Sequence, residues 1–213
     1  LLSNISNARI FDEFCKIFLS GMAEKNFNKL NSFGLNKFLI TTEPKVNKFS
    51  HNVIFEALRN TDRRSKNNQS VTPGFLIAAL LWPNLINRSL TKGEINLRKF
   101  FRSMDPVLRN QQKITAIPRK FHSYIKDIWI LQLKLHSRIG KQPYKTLKHP
   151  RFRAAYDLML IREKCSCETK NLGKWWTDFQ KNDDKLKKLL ISSLKEKDMQ
   201  ESFKTFGFSK ELI

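Results

Sequence analysis

Ten cationic residues stand between Arg119 and Arg153, and Asp127 is the one carboxylate among them. They are Arg119, Lys120, Lys126, Lys134, Arg138, Lys141, Lys145, Lys148, Arg151 and Arg153. The chemistry open to such a run is electrostatic. Like charges crowded on one surface repel unless an anion sits among them, and each phosphate they neutralise releases a condensed counterion. Tyr144, His149 and Phe152 are interleaved with the cations and offer rings on which unpaired bases stack. The competing reading is an ordinary solvated face, its lysines a product of coding bias in a chain rich in Lys, Asn, Ile and Phe.

Covalent catalysis finds no such concentration. His51, His122, His136 and His149 lie far apart, without a His-x-x-x-His pair or a flanking acid. No glycine-rich phosphate loop and no serine elbow is present. The acid pairs Asp12-Glu13 and Asp183-Asp184 read as helix starts or solvent-facing turns. Cys165-Ser166-Cys167 has one residue between its thiols, where zinc sites favour two, and no histidine follows at a matching interval. These residues imply no cofactor or metal for the chain itself.

The elements that must carry the cations read as helices. Placed at about 100° per residue, Arg119, Lys120, Lys126, Lys134, Arg138 and Lys141 fall within a sector of about 120° on one helix over Arg119–Ile139. Its apolar residues, Trp129 and Leu135 among them, take the other side. Gly140 and Pro143 are its stop signals. Before it, Phe11, Phe14 and Phe18 lie on one face of a helix from Ala8 to Met22 with Asn7 as cap. A short helix follows over Glu24–Leu30, and Pro44 breaks the pattern. A further helix covers Asn52–Asn60, and polar Thr61–Ser70 reads as a loop holding Arg63, Arg64 and Lys66. Thr72-Pro73 opens a buried central helix in the favoured way, with a cap residue and then proline. Residues 93–115 are weakly periodic. Helices over Arg151–Lys164 and Leu172–Gln180 come next, then a Lys-rich end, helical over Lys185–Lys195. The fold class is therefore all-α, a multi-helix assembly without substantial sheet.

Composition agrees with a helical core. The chain has 213 residues, 17 Phe and 4 Trp, against 7 Gly and 7 Pro, too few for a turn-rich sandwich. The net charge is +21, with 40 Lys and Arg against 19 Asp and Glu. Residues 181–213 hold eight lysines and six acids, so the charge belongs to the folded part. Three cysteines without framework spacing suggest a reducing, cytoplasmic setting. The longest apolar run, Phe75–Trp82, is far short of the ~20 residues a membrane span needs. Leu1-Leu2-Ser3-Asn4 lacks an initiator Met and a signal-peptide layout, as the back part of a longer protein would.

Several strings are more specific than composition. They are Ala8-Arg9-Ile10-Phe11-Asp12-Glu13, Asn60-Thr61-Asp62-Arg63-Arg64 and Thr72-Pro73-Gly74-Phe75-Leu76-Ile77-Ala78-Ala79. Ile117-Pro118-Arg119 leads into Asp127-Ile128-Trp129, and His149-Pro150-Arg151-Phe152-Arg153-Ala154-Ala155-Tyr156-Asp157-Leu158 precedes Trp175-Trp176. Over about residues 7–180 this order resembles the C-terminal part of the bacterial poly(A) polymerases, relatives of the CCA-adding tRNA nucleotidyltransferases.

The resemblance implies an enzyme that adds adenylates from ATP to RNA 3′ ends with ATP and Mg2+, its metal ions held by carboxylates of an N-terminal head and the incoming nucleotide bound with the help of a helical neck. It implies a division into the end of a helical neck (1–50), an RNA-binding body (51–180) and a charged, partly disordered tail (181–213). The head's Gly-Ser and Asp-x-Asp motifs do not occur in these residues, so no catalytic residue carries over and the chain alone is expected to be inactive. Matching body residues place Arg119, Lys120, Arg138, Lys141, Lys148, Arg151 and Arg153 along an RNA path, with Trp129, Trp175 and Trp176 as packing. The expected partners are single-stranded RNA 3′ ends, or tRNA in the CCA-adding branch, and the head of the same protein. No membrane is involved, and the expected state is a monomer. The Arg-rich tail of the family has no counterpart among the last residues.

Overall fold

The computed structural model describes residues 6–41, 48–165 and 171–194. Cys167, Pro44 and the tail from 195 onward, on which some expectations rest, lie outside them. The fold is all-α. Ten helices are described, with one two-stranded hairpin.

Helix α1, Asn7–Phe18, buries Phe11, Phe14 and Phe18, as the three-and-four spacing requires. Its cap is Ser6, whose hydroxyl accepts from Arg9 N, and not Asn7. The Asn7 amide instead donates to the Lys113 carbonyl at 3.0 Å, tying the start of α1 to the end of a distant helix. Helix α2, Ala23–Ser32, has no cap of its own. The carboxylate of Asp62 accepts from two of the helix's first-turn donors, Ala23 N at 2.6 Å and Glu24 N at 3.1 Å.

That bond depends on helix α3, Lys48–Lys66, which runs six residues beyond Asn60. Thr61–Lys66 is therefore helix and not loop. Thr61 is buried and gives its hydroxyl to the Ala57 carbonyl at 3.0 Å. Asp62 and Arg64 bond to other helices, so tertiary partners hold a segment whose polarity reads as coil.

Helix α4, Pro73–Ser89, starts as Thr72-Pro73 predicts, with the Thr72 hydroxyl accepting from Phe75 N. It is buried from Gly74 to Leu85 and continues through Pro83. Thr91 and Glu94 pair across a two-residue turn in which Lys92 and Gly93 both have positive φ, the geometry of a tight hairpin. Helix α5, Leu97–Gln112, buries Phe100, Met104, Val107, Leu108 and Gln111 along one stripe. Its period is hidden in the sequence because the polar Gln111 holds a core position, bonding the Leu39 carbonyl and Thr41 N, each at 2.8 Å.

Helix α6 spans Lys120–Lys134 and stops five residues short of Ile139. The Leu135 carbonyl accepts the Trp176 indole N–H at 2.9 Å, and a donor from another helix replaces the next turn of the ladder. Helices α7 (Gln142–Leu147), α8 (Phe152–Cys165), α9 (Leu172–Lys181) and α10 (Asp184–Ser192) complete the fold. Pro143 opens α7 and does not merely close what precedes it.

Two cores result. One gathers the apolar faces of α1–α6 with Leu158 and Ile161 of α8. The other packs Leu131 and Leu135 against Phe152, Tyr156, Trp175, Trp176 and Phe179. Between them, buried Gln132 donates to the Ala155 carbonyl at 2.9 Å and accepts from Arg162 at 2.9 Å. The Arg162 guanidinium lies 4.7 Å from the centre of the Trp82 ring.

Candidate nucleic-acid interface

The early end of α6 rearranges the cationic face. Arg119, Lys120 and Lys134 are exposed at the two ends of α6. Lys126 is half-buried and forms an ion pair with Asp105 of α5, so its charge is already compensated. Arg138 is not on the face at all. It follows the helix, is only 6% exposed, and its guanidinium packs 5.4 Å from the Trp175 ring centre. The chain turns inward where Trp176 takes the Leu135 carbonyl, and Arg138 turns with it. His136 is likewise buried beyond the helix end.

Lys141, Lys145 and Lys148 are brought together by α7, all exposed. With Lys188 of α10 they rim a groove of about 610 Å³ lined also by Tyr144 and Ile191. Lys188 is a contributor that sequence reasoning missed. Averaging over the tail diluted it among acids, while Asp183, which caps α10 by accepting from Leu186 N at 2.8 Å, marks the helix that delivers it.

Across the His149-Pro150 turn lies a second cleft, of about 240 Å³, walled by Val71, Phe75, Tyr124 and Ala154. Arg64 reaches it from the end of α3, and Arg151 and Arg153 from the start of α8. Arg64 donates to Asp157 Oδ2 at 3.2 Å, and Arg153 Nε to Oδ1 at 3.2 Å. Arg151 lies 4.7 Å from the centre of the Tyr124 ring. Burial pushes the Asp157 carboxyl above its ordinary value, against the pull of Arg153 and Arg64. Arg64 was also missed as a site residue. Its signal was the Asn60–Arg64 string, whose role needs a partner 93 residues away.

The stacking rings divide. Phe152 is buried against Trp176, their ring centres 5.3 Å apart, and presents no face to a base. Tyr144 lines the lysine groove. The His149 Nδ1 accepts from Arg151 N at 3.1 Å. Trp175 and Trp176 are core, as the packing reading holds. Among the described residues no three of His, Cys, Asp and Glu come together as metal ligands, and no helix is long and apolar enough to cross a membrane.

Fold and surface together define an all-helical protein with a cationic face on which Lys141, Lys145, Lys148 and Lys188 have no carboxylate partner among the described residues, a class suited to polyanions. Residues 92–205 match the family model described as polymerase A arginine-rich C-terminus, and residues 1–49 match the probable RNA and SrmB-binding site of polymerase A. The chain belongs to the poly(A) polymerase family. It is 34% identical over 201 residues to poly(A) polymerase I of Haemophilus influenzae, covering 90% of this chain and 44% of that protein. The corresponding enzymes of Salmonella typhimurium and Escherichia coli O157:H7 are 33% and 35% identical over 193 residues, 84% of this chain and 41% of each. The chain thus spans less than half the length of these relatives. The family match runs to residue 205, past the limit near residue 180 that the sequence strings suggest.

Proposed function

We propose that this chain is the RNA-holding neck and body of a poly(A) polymerase that extends RNA 3′ ends with adenylates. The transfer itself, with ATP and Mg2+, belongs to a nucleotidyltransferase head in the whole protein. The observation that carries the reading is the pair of cationic clefts on either side of the His149-Pro150 turn, in a chain of this family. Lys141, Lys145, Lys148 and Lys188 rim one, and three arginines reach the other. A backbone of phosphates spaced along a strand suits such a row, and Tyr144 beside the lysines offers a ring to an unpaired base. The protein works as a cytoplasmic monomer in this reading.

The test is titration of the chain with labelled oligoadenylate, and in parallel with tRNA, at several salt concentrations. Neutralising five phosphates of a single strand gives log affinity falling with log salt at a slope of about −3.5. That slope, with oligoadenylate preferred and the joint variant K141A/K145A/K148A much weaker, supports the reading. Preference for tRNA moves the chain to the CCA-adding branch. A slope near zero with both ligands makes the charge a passive surface.

A further inference from the structure

The arginine cleft differs in kind from the lysine groove. It assembles three guanidinia around one carboxylate, Asp157, which is 9% exposed. Two positive charges are therefore uncompensated in a space of about 240 Å³. Drug-sized ligands occupy ~300–1,000 Å³, so this space suits something near the size of one nucleotide unit. Arg64 spends one arm on Asp157 and another on the Ser70 carbonyl at 3.4 Å. Arg153 engages Asp157 through Nε, and its side chain is 68% exposed. Its two terminal nitrogens, with four N–H donors, point to the fork geometry that phosphate oxygens match. Arg151 is held over Tyr124 and has no carboxylate partner among the described residues. Tyr124 is in turn fixed by the Thr72 hydroxyl, which donates to its phenolic oxygen at 3.0 Å.

We propose that this cleft is a phosphate subsite in which Arg64, Arg151 and Arg153 take one phosphodiester of a single RNA strand, while Asp157 positions Arg64 and Arg153 to receive it. The proposal rests on the RNA-holding reading above and adds to it a discrete site with a residue, Arg64, outside the basic run. Asp157 is a positioning residue. It touches no ligand atom, and it fixes two flexible side chains before the phosphate arrives, which lowers the ordering cost of binding.

Two measurements on the full chain test this. In the first, R64Q and R151Q are titrated with labelled oligoadenylate. Each is expected to weaken binding about five- to ten-fold and to reduce the salt slope by about 0.7, one phosphate's worth. R151Q alters an exposed side chain, so its circular dichroism and melting stay those of the parent and separate binding from folding. In the second, the arginine Nε–Hε resonances are followed while AMP or inorganic phosphate is added. Both ligands are expected to move the signals of Arg64, Arg151 and Arg153, AMP at lower concentration. D157N raises the net charge by one, so a purely electrostatic role predicts tighter binding, and tighter binding overturns its positioning role. Weaker binding, with the AMP-induced Arg64 shift lost, supports it. If R64Q and R151Q keep affinity and slope while K141A/K145A/K148A loses RNA, the subsite is overturned and the wider reading stands. If the parent binds no RNA, the wider reading fails, and the response to AMP and phosphate decides the subsite alone.

Discussion

Arg138 and Lys134 are four residues apart in a basic run, yet they do different work. Lys134 is exposed at the last position of α6, whereas Arg138 is buried against Trp175. R138A is therefore expected to cost about 1–2 kcal/mol of stability, through lost packing and the lost cation–ring contact, and to leave RNA affinity unchanged. K134A is expected to do the reverse, lowering affinity about two-fold without moving the melting temperature. Cys165 allows a second prediction at this scale. Burial, and then the Glu56 charge beside it, pushes its thiol up to about 11. The neutral thiol is favoured, so the reactive thiolate gains population as pH rises. In a C15S/C167S background, alkylation by iodoacetamide should accelerate about ten-fold per unit from about pH 7 to pH 10, where a free thiol of pKa ~8.5 has levelled off. A plateau near pH 9 would refute the burial.

At the scale of elements, α4 and α6 approach so closely that only glycine fits at position 74. A Cβ there would stand 2.8 Å from Phe121 Cδ1 and 2.9 Å from Tyr124 Cδ1. G74A is expected to cost about 1–3 kcal/mol by overpacking, read as a lower melting temperature, and to displace Tyr124 from its place under Arg151. The helices with strong signals were legible in the sequence. Phe11, Phe14 and Phe18 mark α1, and Thr72-Pro73 marks α4. Two boundaries were not, because their causes are distant in the chain. Thr61–Lys66 stays helical through Asp62 bonding α2 and Arg64 bonding α8, and α6 ends where Trp176 of α9 takes a carbonyl. A helical wheel has no access to either. The candidate site was half-legible for the same reason. Lys141, Lys145 and Lys148 lie close together in sequence, in and beside α7, while Arg64 and Lys188 join by folding.

For the whole molecule, the two cores are coupled through α6 and α8, which contribute to both. Trp82 and Trp129 report on the larger core, Trp175 and Trp176 on the smaller. Tryptophan fluorescence and far-ultraviolet circular dichroism should therefore melt together, as one transition. R162A removes the guanidinium that bonds Gln132 between the cores. It is expected to cost about 2–3 kcal/mol, since a buried amide then loses a charged partner. Separation of the fluorescence and dichroism midpoints in this variant would mark Arg162 as the coupling, and coincident midpoints would give that role to the helices themselves. The inward turn after Lys134 also decides where a protease can enter. Trypsin meets a shielded bond at Arg138 and an open one at Lys141, where Ile139 is 56% exposed and Gly140 has φ +52°. A single nick there would sever the backbone between α6 and α7. Leu135 upstream and Phe152 downstream share one packed cluster with Trp176, so the two pieces should still travel as one particle.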